Sequence, residues 1–225
     1  NHFHPNSTMN FDEACDKAGI PIISHETGQF QTYPDYREIK KYTGVLHPYN
    51  FEVFRRRLAA AGMLSQADDF HKASGLWSVK LYKADIEMDL RTRNMAGFQL
   101  LDIQDYPGQG SAFVGILDAF MESKGITTPE EWRQWCSPVV PLLEMKKFCF
   151  EDGEKIQAKV KVANYGGSSL KGKKLKWHLA AENGLFCMDD GTFSIKDGEV
   201  RKNVGDLMAE DEGVLNIFSY DEGLV

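Results

Sequence analysis

The chain has 225 residues, 42% hydrophobic and 26% charged, the composition of a soluble globular protein long enough for one large domain or two ordinary ones. Its net charge of −7 and pI of about 5.4 argue against nucleic acid or an anionic membrane as partner, since both demand a basic surface, and leave neutral ligands such as sugars open. No stretch approaches the roughly 20 apolar residues of a membrane span.

The chain begins at Asn1 with neither a Met nor a signal-like apolar run, and so reads as a piece of something longer. Asn10 can cap a helix through Phe11–Lys17, with acids in its first turn and Gly19 ending it. Ile20–Ser24 then reads as a short buried strand, covered on both faces, that delivers His25 and Glu26 to its C-terminal end before Gly28 turns the chain away. Asp35–Lys41 reads as a solvated helix face. Asn50 caps a helix over Phe51–Ala61, with Phe51, Phe54 and Leu58 on one face. A longer helix from Leu76 to Arg91 puts Trp77, Leu81, Ala84 and Met88 at helical spacing. Gly97 opens a second buried strand, Phe98–Ile103, which ends in the Gly-rich loop Gln104–Gly110. Thr128-Pro-Glu-Glu131 carries a full helix-start signature: a cap, Pro at the first helical position and a capping box. Alternation of this kind is the texture of β/α units.

From about Lys146 the texture changes. Ile156, Ala158, Val160 and Val162 alternate with polar residues, Leu175–Leu179 alternates again, and Gly- and Asp-rich turns separate short strands up to Val204, the pattern of a β-sandwich. Val139–Met145 reads as the junction, and the tail after Val204 lacks clean alternation. Cys15, Cys136, Cys149 and Cys187 are scattered without CxxC pairing, which excludes a zinc knuckle. Free thiols are the simplest reading and a Cys149–Cys187 disulfide the alternative; the compartment is left open.

A carboxylate at the mouth of a buried parallel strand is where α/β-barrel enzymes keep their chemistry. Glu26 is therefore either half of a catalytic carboxylate pair or an acid that only caps its strand. His25 points to the opposite face if the strand is regular. Asp102, inside an apolar strand, needs a partner. Asp105, with Gln104, lies in a loop opening on the same rim as Glu26, or else serves as an Asx turn ahead of Pro107. The pair Trp132 and Trp135 suits a core better than a sugar platform. No metal site emerges, and Gly108-Gln-Gly110 lacks the strand–loop–helix setting of a nucleotide motif.

The string Ile20-Pro-Ile-Ile-Ser-His-Glu-Thr-Gly-Gln29, followed by Tyr33-Pro-Asp-Tyr36, resembles the seventh barrel strand of family 2 glycoside hydrolases, the family of β-galactosidases and β-glucuronidases. Phe98–Asp105 with Tyr106–Gly110 resembles the eighth strand and its loop in a β-galactosidase-like branch. The resemblance covers roughly residues 3–144 and implies the C-terminal portion of a (β/α)8 TIM barrel. The region from 145 to 225 is similar, in texture alone, to the immunoglobulin-like β-sandwich that follows such barrels. It further implies a retaining β-glycosidase hydrolysing O-glycosidic bonds of glycans, with Glu26 as nucleophile, His25 orienting it, Gln104 and Asp105 bonding sugar hydroxyls, and no organic cofactor. Such an enzyme needs a second carboxyl about 5–5.5 Å away. In the family it stands in an Asn-Glu pair on the fourth strand, a dipeptide this chain lacks. A Trp common near the sugar on the eighth strand is also missing. The alternative is a non-catalytic carbohydrate-binding or scaffold module; an esterase would want a GxSxG elbow, and none occurs.

Overall fold

The computed structural model describes residues 5–107, 109, 112–150, 155–180, 187–194 and 213–218. The chain divides into two compact units, one of Asn1–Ile23, Glu87–Gly97 and Gln134–Val225, the other of Ser24–Ile86 and Phe98–Arg133.

Helix α1 spans Asp12–Ala18. The Asp12 amide donates to Asn10 Oδ1 at 3.1 Å, and Gly19, at φ +63°, closes the helix by donating to the Cys15 carbonyl. Strand β1 is Ile22–Gly28, starting two residues later than expected. Pro21 has no N–H to offer a ladder, which explains the late start. Nor is β1 covered on both faces: Ile23 is 60% exposed, and among the described residues its sheet contains one other strand, β2 at Met95–Leu101. Gly97, expected to open that strand, lies inside it. Beyond Leu101 only single bridges continue the pairing, Gln104 with Leu117 and Tyr106 with Ala112.

Helix α2, Tyr49–Ala60, starts at Pro48, so Asn50 sits in its first turn rather than at the cap. Phe51 and Leu58 are buried as expected, with Phe54 half-buried beside the Phe113 ring. Helix α3 runs Ala67–Arg91, nine residues longer at its start than the sequence suggests. Ser74 and Gly75 read as breakers, yet Ser74 Oγ donates back to the Phe70 carbonyl at 2.7 Å. Gly75 is required by close packing: a Cβ there would stand 2.2 Å from Ile126 Cγ2. The buried stripe of α3 is His71, Gly75, Ser78, Val79, Tyr82 and Ile86, while Trp77 is exposed, so the expected Trp77–Met88 face is not the core face.

The second unit's core gathers Phe51, Leu58, Val79, Tyr82, Phe113 and Ile126. Phe51 meets Phe113 edge-on at 5.0 Å, and Tyr82 meets Phe30 and Trp132 at 5.5 and 5.6 Å. Short helix α4, Pro129–Trp132, follows the sequence signature: Thr128 Oγ1 accepts from the Glu131 amide at 3.1 Å, although the Glu131 carboxylate turns to Thr127 Oγ1.

In the first unit, β3 (Val139–Met145) pairs antiparallel with β4 (Lys155–Asn164), so the expected junction is itself a strand of the C-terminal sheet. The register puts the buried Val140 and Leu142 of β3 on one face with Ala163 and Lys161 of β4, and the buried Ala158, Val160 and Val162 on the other, where Met145, Ile156 and Leu175 pack against Ala158 and Val160. Lys161 and Glu144 form a half-enclosed diagonal ion pair across the two strands at 3.1 Å. Ser7 ties the N-terminal segment to β3, giving its hydroxyl proton to the Leu143 carbonyl and accepting from the Met145 amide. Strands β5 (Lys174–Ala180) and β6 (Cys187–Ser194) make a separate antiparallel pair. Strand β7 (Gly213–Phe218) joins β4, within the tail where alternation is weak.

The described residues thus form small sheets of two, three and two strands, and they show neither a closed TIM barrel nor an immunoglobulin-like sandwich. No helix among them is long and apolar enough to cross a membrane. Cys149 is a free thiol, as is Cys15, so the Cys149–Cys187 disulfide does not form; the Cys187 side chain lies outside the described residues.

Candidate functional site

Glu26 stands near the end of β1 with φ +56°, a left-handed backbone that a glutamate rarely adopts. Gly28 and Gln29 follow at φ +107° and +56°. The local turn reverses the strand's alternation. His25, expected on the opposite face, brings its Nδ1 to 3.9 Å from Glu26 Oε1, because the positive φ at Glu26 rotates both side chains toward one side. Gln29 Nε2 donates to Glu26 Oε2 at 3.0 Å, and the Gln29 amide donates to the Leu101 carbonyl on β2. Half of the Glu26 side-chain surface is open to solvent. Gly28 is fixed by space as well as by φ, since a Cβ there would overlap the Tyr82 ring at 2.1 Å. Tyr82 in turn donates its hydroxyl to the Val114 carbonyl at 2.6 Å, and burial pushes its ionisation up. The carboxylate at the end of β1 is thereby aimed outward by a backbone locked from beneath.

Asp105 is placed differently from the rim position the sequence suggests. It is 3% exposed, and its Oδ1 accepts from Lys124 Nζ at 2.6 Å and from the Gly115 amide at 2.9 Å. Lys124 completes its donor set with Thr32 Oγ1 at 3.0 Å and the Phe113 carbonyl at 3.5 Å. Burial pushes the Asp105 carboxyl up and the Lys124 ammonium down, each opposed by the other's charge. The reason for the inward turn is the bridge between Gln104 and Leu117, which draws the loop onto residues 112–118. Gly115 makes this approach feasible: a Cβ there would lie 2.2 Å from the Gln104 carbonyl carbon. Gly115→Ala is therefore expected to destabilise the chain by about 1–3 kcal/mol in urea unfolding, with an unchanged midpoint arguing against this contact. Gln104 is half-buried, and Asp102 accepts from the Ile103 amide at 3.0 Å rather than from a buried partner.

The sequence matches no family model and no curated protein.

Several charged residues that the sequence gave no reason to single out share the interior with Asp105. The segment read as a solvated face, Tyr36–Lys41, is a 3-10 turn that buries Glu38 to 3% exposure. Burial, with Asp105 and Asp118 nearby, pushes the Glu38 carboxyl from 4.5 up to about 8. Lys41 pairs with Asp118 and, at 2.7 Å, with Glu122. Burial works to raise Asp118, but Lys41 and the amides of Glu122 and Phe120 hold it below the ordinary carboxylate range. His71 lies between the carbonyls of Tyr33 and Lys124, at 2.7 and 3.3 Å. The one signal in the sequence was the spacing of Tyr33, Tyr36, Ile39 and Tyr42 around Glu38, which sets an acid among ring and aliphatic neighbours. Among the described residues no three His, Cys, Asp or Glu side chains are grouped so as to hold a metal ion. A cleft of about 830 Å³ in the other unit, lined by Lys146, Lys147, Phe148 and Phe150, includes none of these residues. Trp135 is buried, as a core reading of the pair requires, and Trp132 meets the Tyr82 ring edge-on.

Proposed function

We propose that this chain carries the nucleophile end of a retaining β-glycosidase acting on O-glycosidic bonds of glycans, similar to the β-galactosidase-like branch of family 2 glycoside hydrolases. On this reading its first part belongs to the last strands of a (β/α)8 barrel and its later part to an immunoglobulin-like sandwich. The observation that supports it best is Glu26: a carboxylate at the end of β1, half open to solvent and held from behind by Gln29 and His25. In the reaction a Glu26 oxygen attacks the anomeric carbon as the bond to the leaving oxygen breaks, and water then releases the glycosyl-enzyme. A second carboxyl protonates the leaving oxygen and then deprotonates the water. His25 and Gln104 are the proposed contacts to Glu26 and to sugar hydroxyls. Asp105, paired with Lys124, supports the loop that carries Gln104 and reaches a sugar only if that pair opens.

A non-catalytic carbohydrate-binding or scaffold role is the second reading. It is favoured by one observation: the polar groups against the Glu26 side chain are Gln29 and His25, and no second carboxyl is among them in the described residues. Exposure of the full-length protein to a 2-fluoro aryl β-glycoside, followed by peptide mapping, separates the two. A label on Glu26 supports the enzyme. A label elsewhere, or none while sugars still bind, supports the binding module.

A further inference from the structure

The interior of the second unit holds an odd number of acids for its bases. Asp118 is matched by Lys41 and Asp105 by Lys124, whose three protons all have acceptors. Glu38 is as buried as Asp105 and has no cation of its own, and its Oε2 has no hydrogen-bond partner. Asp105 Oδ2 is a second buried carboxylate oxygen without a partner in the same cluster. Glu122 adds negative charge at the surface end, sharing Lys41. Three enclosed carboxylates share two ammonium groups, and the buried His71 turns its ring nitrogens to the carbonyls of Tyr33 and Lys124, so among the described residues no cation is paired with Glu38, a state that a low-dielectric interior resists more strongly than it resists a neutral acid.

We infer that Glu38 is the one acid of this cluster that carries a proton in the folded chain, and that its loss as pH rises loosens the packing of residues 105–124 against the turn Tyr36–Lys41. The inference is independent of the glycosidase reading. The groups that act on Glu38 come from both sides: Asp35 from its own segment, and Asp105, Asp118 and Lys124 from the facing one. Tyr42, raised to about 12 by burial and by the same carboxylates, stays neutral over the range concerned. Of these charges Lys124 alone favours ionised Glu38, and it is already committed to Asp105. A proton leaving Glu38 goes to solvent and leaves its charge beside Asp105 and Asp118, so the structure yields rather than the charge being absorbed.

The sign follows from the direction of the shift. In the unfolded chain Glu38 titrates as an ordinary glutamate, and folding raises that value to about 8. The stabilisation is complete below the unfolded value and is lost as pH climbs through the folded one. Glu38→Gln, neutral at every pH, removes this loss.

The test is a pair of measurements on the 225-residue chain. In carbon-13 spectra of labelled glutamate carboxyls, one resonance is expected to move only on the alkaline side of neutrality and to disappear in Glu38→Gln. Urea midpoints are expected to fall from pH 6 to pH 9 in the unsubstituted chain and to fall much less in Glu38→Gln. Every glutamate titrating in the ordinary acid range, or the same fall in both chains, overturns the inference. If Glu38→Gln does not fold, the spectrum of the unsubstituted chain decides alone.

Discussion

Glu26→Gln in the full-length protein is expected to reduce turnover of an aryl β-glycoside by several orders of magnitude while leaving the free energy of urea unfolding within about 0.5 kcal/mol of the parent. The two halves of this result have separate causes. Glutamine keeps the length and planarity of the side chain and can still meet Gln29, which lies against it. A half-exposed carboxylate that accepts a hydrogen bond from a nearby side-chain amide contributes little to the fold, so stability stays nearly constant. An amide oxygen, however, is too poor a nucleophile to form the glycosyl-enzyme, and a retaining mechanism has no route around that step. Near-normal turnover in the variant would remove Glu26 from the chemistry. A large drop in stability would instead show that the carboxylate belongs to the architecture.

Lys124→Met is expected to be the most damaging single change to the fold, costing about 3–5 kcal/mol in urea unfolding at pH 7. Its ammonium is enclosed and has acceptors for all three protons, so removal strips the buried Asp105 carboxylate of its one cation, leaves it only the Gly115 amide, and takes a donor from Thr32 Oγ1 and the Phe113 carbonyl. The burial that penalises both charges makes the pair expensive to break and much less expensive to replace. The double change Lys124→Met with Asp105→Leu should thus cost less than the two single changes added, by 1 kcal/mol or more. Additive single effects would mean that the two residues act apart and that the loop after β2 is held by the Gly115 approach alone.

Local chemistry was legible in the sequence where it acts over three or four residues. Gly19 and Thr128 each do what their type and position dictate, because a cap is satisfied by the adjoining turn of its own helix, whereas Asn10 stands one residue before the cap position, which Phe11 holds, and bonds the Asp12 amide from there. Element bounds were less legible. β1 and β2 shift by two or three residues, and α3 extends through Ser74 and Gly75 because the facing Ile126 needs the missing side chain. The pairing of the interior charges was not legible. Lys41 and Asp118 are 77 residues apart, and no spacing rule connects them. The polar run Asp35–Lys41 shows the cost: a string that alternates charge reads as solvated until a partner from a distant segment encloses part of it. Asp105 was singled out by its loop, but its direction was set by Leu117 and Gly115, which lie beyond local reach. The family resemblance supplied a role for Glu26 that neither burial nor periodicity could.

The three left-handed residues at the end of β1 have a consequence for how this protein can change. Glu26 and Gln29 both occupy a conformation that costs an L-residue with a side chain about 1–2 kcal/mol, and glycine or asparagine would sit there more comfortably. Selection for thermal robustness alone would drive these positions toward smaller side chains, while any demand for a carboxylate at position 26 opposes that drift. The end of β1 is therefore a place where durability and usefulness compete for the same residues, and where a search for stabilising substitutions should succeed most readily at the expense of the chemistry.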